Sequence, residues 1–202
     1  MSQQLEAWQG EFGTAYTTRN VPDWHIRLPA FRHMLDGLSI TSALEIGCNR
    51  GHNLLALAEL LPDCEIVGIE PNGVALGIAQ AASPRITALY GHALDIPFPD
   101  GSFDLVFTAG VLIHLPLASL SQALRNMHRA SRRYLLSIEY SAETETAIPY
   151  RGSNELLWKR DFLRHYQAEF PTLALIGSGY WGIENGFDRT HWWLFEKPRM
   201  SE

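Results

Sequence analysis

The sequence predicts an α/β, Rossmann-like fold: a mostly parallel sheet flanked by helices. Three observations predict it. Short apolar runs alternate with stretches of helical period from residue 41 to about residue 138. A glycine-bearing turn, Gly47-Cys48-Asn49-Arg50-Gly51, separates the first apolar run from the apolar helical stretch 54–61. A second apolar run ends on Glu70, nineteen residues after Gly51. In nucleoside-binding α/β folds an acid at that distance stands at the tip of the second strand and holds the ribose hydroxyls.

The elements follow in order. Trp8, Phe12, Tyr16 and Arg19 fall at helical spacing, with Gly10 and Gly13 interrupting, which suits a cap over the core edge or a lid over a pocket. Asp23, after Pro22, caps a helix running to about residue 38. Residues 41–46 form the first strand and 51–61 its helix, closed by Pro62-Asp63. Residues 65–69 are the second strand, 72–82 the next helix, ended at Ser83-Pro84, and 85–90 the third strand. A loop rich in turn residues spans 91–102, followed by a fourth strand at 103–108. Pro116 opens a helix over 116–130, and 134–138 is the fifth strand. Beyond it the alternation stops. Residues 139–154 are polar, 156–170 look helical, and 172–176 and 191–196 read as strands around a glycine-rich turn at 177–186. Two late strands joined by a long turn suit the antiparallel end of a mixed sheet, which makes seven strands. The expected organisation is one domain, 1–202, with a cap at 1–40, a core at 41–140 and a substrate-side insert with antiparallel strands at 141–202.

Composition narrows the class. At 202 residues and 46% hydrophobic content the chain is no disordered polymer and can bury a substantial core. No apolar stretch reaches the ~18 residues of a membrane span. The first residues carry no basic region ahead of an apolar one, so cytoplasm is the expected compartment. Cys48 and Cys64 cannot build a disulfide framework, and the eight histidines lack paired metal-ligand spacing. Sixteen Lys and Arg stand against 22 Asp and Glu, with no dense basic run. That balance argues against nucleic acid and for a small-molecule partner.

The turn Gly47–Gly51 is not the dinucleotide pattern G-x-G-x-x-G. With Glu45 two positions ahead it resembles the (D/E)-x-G-x-G-x-G motif of class I S-adenosylmethionine (SAM) methyltransferases. Asn49 replaces the middle glycine, and Asn is the residue besides Gly that best tolerates positive φ. The stretch GHALDIPFPDGSFDLVFTAGVLIHL extends the resemblance over about residues 41–138. The resemblance implies a class I methyltransferase fold with SAM as cofactor. It implies cofactor contacts from Glu45, Gly47, Cys48, Asn49, Gly51 and Pro71, ribose contacts at Glu70, Asp95 at the adenine amino group, Ile96 on the ring, and Ala109 beside the methionyl part. The stretches GEFGTAYTTRN, LEIGCNRGHNL, YRGSNELLWKRDF and HWWLFEK also resemble the pseudaminic acid biosynthesis-associated methylases. That resemblance implies a nonulosonic acid sugar, or its nucleotide-sugar or glycan precursor, as acceptor.

Methyl transfer from a sulfonium needs an aligned acceptor and a dry site; a base is needed only when the nucleophile carries a proton. Candidates at strand ends are His114 and Glu139, their alternatives being a histidine in a capping turn and a carboxylate at a loop start. An acidic sugar asks for cations beside aromatic rings, which selects Tyr16, Arg19, Tyr150, Arg151, Lys159 and Arg160. Protein or RNA methylation, or a non-catalytic SAM-binding partner of a biosynthetic enzyme, are the competing readings. The RNA branch lacks a basic face and an Asn-Pro-Pro-aromatic motif.

Overall fold

In the computed structural model, which describes residues 3–150 and 156–198, the chain opens with α1 (Gln3–Gln9) and α2 (Glu11–Arg19), divided at Gly10. A 3-10 turn (Trp24–Arg27), capped by Asp23 Oδ1 accepting from the His25 amide at 3.0 Å, runs into α3 (Leu28–Met34), which ends at Met34 rather than near residue 38. The alternating core is β1 (Ser42–Ile46), α4 (His52–Leu60), β2 (Glu65–Glu70), α5 (Gly73–Ala82), β3 (Ile86–Tyr90), β4 (Phe103–Ala109), α6 (Leu117–Ala130) and β5 (Ser131–Glu139). A small hairpin of β6 (Thr146–Ala147) and β7 (Trp158–Lys159) follows, then α7 (Phe162–Glu169), β8 (Ala174–Trp181) and β9 (Thr190–Glu196).

Seven strands form one sheet in the order β3-β2-β1-β4-β5-β9-β8. The first five are parallel, while β9 runs antiparallel to β5 and β8 antiparallel to β9. All of β1 is buried, and β4 is buried from Phe103 to Thr108, because helices cover both faces. Alternate residues divide between two cores. Ala43, Leu105 and Phe107 meet Phe31 and Leu57 on one face; Leu44, Val106 and Leu135 meet Leu124 and Tyr166 on the other. The strand order reverses at β1, so a crevice opens at its carboxyl end between β2 and β4. Among the described residues no helix is long and apolar enough to cross a membrane.

Two expectations beyond β5 change. The helix expected over 156–170 occupies only Phe162–Glu169, because Asp161 caps it, accepting from the Arg164 amide at 3.0 Å, and β7 takes the residues before it. The glycine-rich turn is partly strand. A Cβ on Gly177 would stand 3.1 Å from the Trp192 ring, and one on Gly179 2.7 Å from Trp192 Nε1. Those glycines make room for an indole on the neighbouring strand, so β8 runs on to Trp181.

Candidate active site

The carboxyl ends of β1, β2 and β4 open on a cavity of about 130 Å³. Ile46, Gly47 and Asn49 line it from the turn after β1, Glu70 and Pro71 from the end of β2, and Ala109, Gly110 and Val111 from the end of β4. His114 and Leu115 continue that wall, while Gln4, Leu5, Trp8 and Tyr16 close the cavity from the N-terminal helices.

The turn after β1 takes the shape its residues permit. Gly47 and Gly51 have φ of +72° and +79°, and Asn49 sits at 46°. A Cβ on Gly47 would also stand 2.6 Å from Val111 Cγ2, so only glycine leaves both the turn and the cavity wall in place. Cys48 and Gly51 do not line the cavity. Cys48 is buried against Gly68 of β2, and Gly51 starts α4.

Glu70 is 4% exposed. Its Oε2 accepts from the Asn49 amide at 2.8 Å and its Oε1 from the Asn72 amide at 2.9 Å. Burial pushes its pKa up, and the two amides pull it back. Each oxygen retains a lone pair for a ligand hydroxyl. The same two asparagines reach the N-terminal helices. Asn72 Oδ1 caps α5, accepting from the amides of Val74 and Ala75 at 3.1 and 3.0 Å. Its Nδ2 contacts the carbonyls of Trp8, Gln9 and Gly10 at 3.0–3.3 Å and Thr14 Oγ1 at 3.2 Å. Asn49 Nδ2 donates to Thr17 Oγ1 at 2.9 Å. Asn72→Ala should therefore destabilise the fold by ~1–2 kcal/mol. It should also expose the segment 3–19 to protease; a wild-type denaturation midpoint with wild-type protection would remove Asn72 from this role.

Glu45 lies beneath the turn, 1% exposed and away from the cavity lining. Its Oε1 accepts from Asn53 Nδ2 at 2.6 Å, and Asn53 Oδ1 accepts from Arg27 Nη1 at 2.5 Å. Glu45 Oε2 has no partner among the described residues, and burial pushes the carboxyl up to about 8.

The loop after β3 departs from the expected adenine contacts. Asp95 is exposed, Ile96 is packed in the core at 3% exposure, and neither lines the cavity. A tight turn, closed by the Asp95 amide on the His92 carbonyl at 3.0 Å, swings Asp95 outward. His92, Ala93 and Leu94 face the cavity instead. Their signal in the sequence is position: they begin two residues past the end of β3, where a parallel strand delivers its loop to the ligand.

His114 is 9% exposed and lines the cavity. Its Nδ1 lies 2.5 Å from the Leu156 carbonyl, which can only accept, so Nδ1 carries the proton and Nε2 is bare. No protein partner reaches Nε2 among the described residues. The rings of Trp8 and Tyr150 pack at 4.5 and 5.7 Å, and burial pushes the pKa down to about 4, so the imidazole is neutral at pH 7.

Glu139 is neither exposed nor on the cavity wall. It is 0% exposed, and its carboxylate accepts from the amides of Val111 and Leu112 at 3.2 Å and of Ile113 at 3.4 Å. Burial drives its pKa up to about 7 against those bonds. Arg160 is 1% exposed, pairs with Glu145, and gives Nη1 to the carbonyls of Leu115 at 2.8 Å and Leu112 at 3.5 Å. Its Nε and Nη1 are thus engaged by the chain, Nη2 has no partner among the described residues, and the side chain does not line the cavity. Arg19 is exposed, 5.5 Å over the Tyr16 ring, and half-buried Lys159 stands 5.6 Å over Tyr140. Tyr150 packs on Phe12 at 6.0 Å as well as on His114. Arg151 lies outside the described residues.

Residues 43–133 match the model of a methyltransferase domain. An uncharacterized methyltransferase of Synechocystis is 33% identical over 98 residues, 47% of this chain and 45% of that protein. The demethylmenaquinone methyltransferase of Symbiobacterium thermophilum is 32% identical over 113 residues, 52% of this chain and 43% of that one. The chain thus spans less than half the length of these two relatives. The crystal structure of Burkholderia thailandensis 1,6-didemethyltoxoflavin-N1-methyltransferase, with bound 1,6-didemethyltoxoflavin and S-adenosylhomocysteine, has the same fold. Its TM-score is 0.73 over 98% of this chain and 92% of that one, at 14% identity. The cavity suits such a cofactor: Ile46, Pro71, Ala93 and Leu94 offer apolar walls for a flat base, Glu70 offers a carboxylate for a diol, and Gly47 keeps the way clear. Residues 43–133 thus match a methyltransferase domain and, with the rest of the described chain, take a Rossmann-like methyltransferase fold, which implies S-adenosylmethionine as the cofactor.

Proposed function

We propose that the protein transfers a methyl group from SAM to a small anionic sugar, of the nonulosonic acid type or a nucleotide-sugar precursor of one. The observation that carries the reading is His114, a neutral imidazole whose bare nitrogen belongs to the cavity wall and whose neighbours are aromatic rings. When bound, the sulfonium supplies an electrophilic methyl and its own leaving group. In this reading Glu70 holds the ribose hydroxyls, and His92, Ala93 and Leu94 surround the base. The segment 109–111 runs beside the amino-acid part, and Glu45 supports the turn from below. His114 Nε2 accepts the proton side of the nucleophile and so points its lone pair at the methyl. Trp8, from α1, excludes water from that end.

Aromatic faces suit the C–H faces of a sugar, and Arg19 and Lys159, each beside a tyrosine, suit its anion. Small-molecule acceptors in the names of similar methyltransferases support the size class, and the sequence resemblance supports the sugar. The test is mass spectrometry of nonulosonic acids, their nucleotide sugars and uncharged analogues incubated with enzyme and SAM. A gain of one methyl on an anionic member supports the reading. An uncharged analogue methylated equally well would sink its anionic half, and binding of SAM without any product would favour a non-catalytic partner. Glu70→Ala should weaken binding of S-adenosylhomocysteine by ~1.5–3 kcal/mol, roughly ten- to hundredfold. Wild-type affinity by calorimetry would remove Glu70 from the cofactor site.

A further inference from the structure

We propose that Glu139 and Arg160 are positioning residues, which grip the turn Val111–Leu115 from its two ends and so hold the bare nitrogen of His114 on the cavity. The proposal rests on the role given to His114 above.

The turn cannot hold itself. Within it only two hydrogen bonds form, His114 N to Val111 O at 3.0 Å and Leu115 N to Leu112 O at 3.2 Å. The amides of Val111, Leu112 and Ile113 and the Leu115 carbonyl need partners from elsewhere, since buried backbone polar groups are costly unpaired. One buried carboxylate meets all three amides: Glu139, the last residue of β5. One buried guanidinium meets the carbonyls at the other end: Arg160, just past β7. Burying two ions is a poor way to gain stability, because apolar residues of similar volume do as well or better. Placing three donors and two acceptors of one short turn in register is something apolar residues cannot do.

A third bond makes the grip specific for the imidazole. The carbonyl that accepts from His114 Nδ1 belongs to Leu156, four residues before Arg160. The guanidinium that fixes the turn and the carbonyl that fixes the tautomer therefore sit on one short segment. That segment is tied back at its far end: Ser141 Oγ and the Ala142 amide both donate to the Arg160 carbonyl at 3.2 Å, and Glu145 pairs with Arg160 Nε. At its near end the turn is tied to β5 a second time, by the Gly110 amide on the Ile138 carbonyl at 2.8 Å. A base role for Glu139 and an anion-binding role for Arg160 fit less well, because neither side chain lines the cavity and both are engaged with backbone.

The test needs no acceptor. In the full chain labelled with nitrogen-15 histidine, with and without S-adenosylhomocysteine, His114 should show the Nδ1–H tautomer with a slowly exchanging ring proton. Glu139→Gln keeps one acceptor oxygen and Arg160→Lys keeps the charge with one bond. Each should speed that exchange roughly tenfold or more and mix the tautomers, with affinity for S-adenosylhomocysteine within about twofold of wild type. Glu139→Ala should go further than Glu139→Gln. Wild-type tautomer and exchange in both conservative variants would overturn the proposal, and so would loss of the fold in both, which would assign the two residues to stability alone. With a methylated acceptor in hand, each conservative variant should lower kcat roughly tenfold, and by less than about twofold when His114 is already alanine. Full turnover in His114→Ala would instead overturn the reading of His114, leaving the tautomer result to stand for the grip itself.

Discussion

Replacing His114 by alanine should lower kcat by ~10²-fold or more and leave affinity for S-adenosylhomocysteine close to wild type. The split follows from where the ring sits. His114 is on the wall that continues past the end of β4, against Trp8 and Tyr150, whereas Glu70 ends β2. Its proton is committed to the Leu156 carbonyl, so Nε2 can only accept. Its pKa, pushed down to about 4 by burial, keeps it neutral, and its ring resonances should show no protonation between about pH 5.5 and 8. The linkage has a definite sign. A histidine depressed from 6.5 in the unfolded chain contributes stability that is present above 6.5 and lost as pH falls toward 4. Rates are therefore best compared above pH 6. Unchanged kcat in the variant would make the ring a packing residue.

Glu45→Gln should produce the largest stability change, and it should appear on the alkaline side. The carboxyl is raised from 4.5 to about 8, with burial the main cause, opposed by the Asn53 hydrogen bond and by Arg27. A group raised on folding contributes stability that is complete below its unfolded pKa and lost as pH rises through the folded value. Wild type should therefore lose stability relative to Glu45→Gln by ~1.4 kcal/mol per pH unit between 4.5 and 8, on the order of 3–5 kcal/mol in all. Glu139 titrates in part of the same window in both proteins, so the difference between the two curves isolates Glu45. Denaturant melts at pH 6 and pH 9 measure it. A difference that does not grow with pH would mean that Glu45 is ionised in the folded protein, held by the Asn53–Arg27 chain.

Much of this was readable from the sequence because local chemistry decides it. Strands buried on both faces leave uninterrupted apolar runs, and a turn requiring positive φ leaves Gly47, Asn49 and Gly51. Glu70 was legible because its place depends on one strand's length. Asp95 was misplaced because a single backbone bond to His92 inverts which residues of the loop face inward, and no residue type announces that. Glu139 and Arg160 were assigned to chemistry and to substrate because both are charged and follow strands. Their partners lie 26–28 and 45–48 residues away, beyond any periodicity. Gly177 and Gly179 read as a turn because a glycine kept for a neighbouring indole looks the same in sequence as one kept for its dihedrals.

The wall formed by α1 has a kinetic consequence. None of its residues is fully buried; Asn72 Nδ2 reaches the carbonyls of Trp8 and Gln9, Gln9 Nε2 donates to the Tyr90 hydroxyl, and the Trp8 ring packs on Phe12, Tyr16 and His114. Opening this wall should cost less than opening the strands beneath it, which are buried on both faces. Ligand traffic past Gln4, Leu5 and Trp8 should then be gated, with association levelling off at the rate of helix release once ligand is abundant. Residence time of the spent cofactor should then follow the strength of the contacts that hold this helix rather than the depth of the site beneath it.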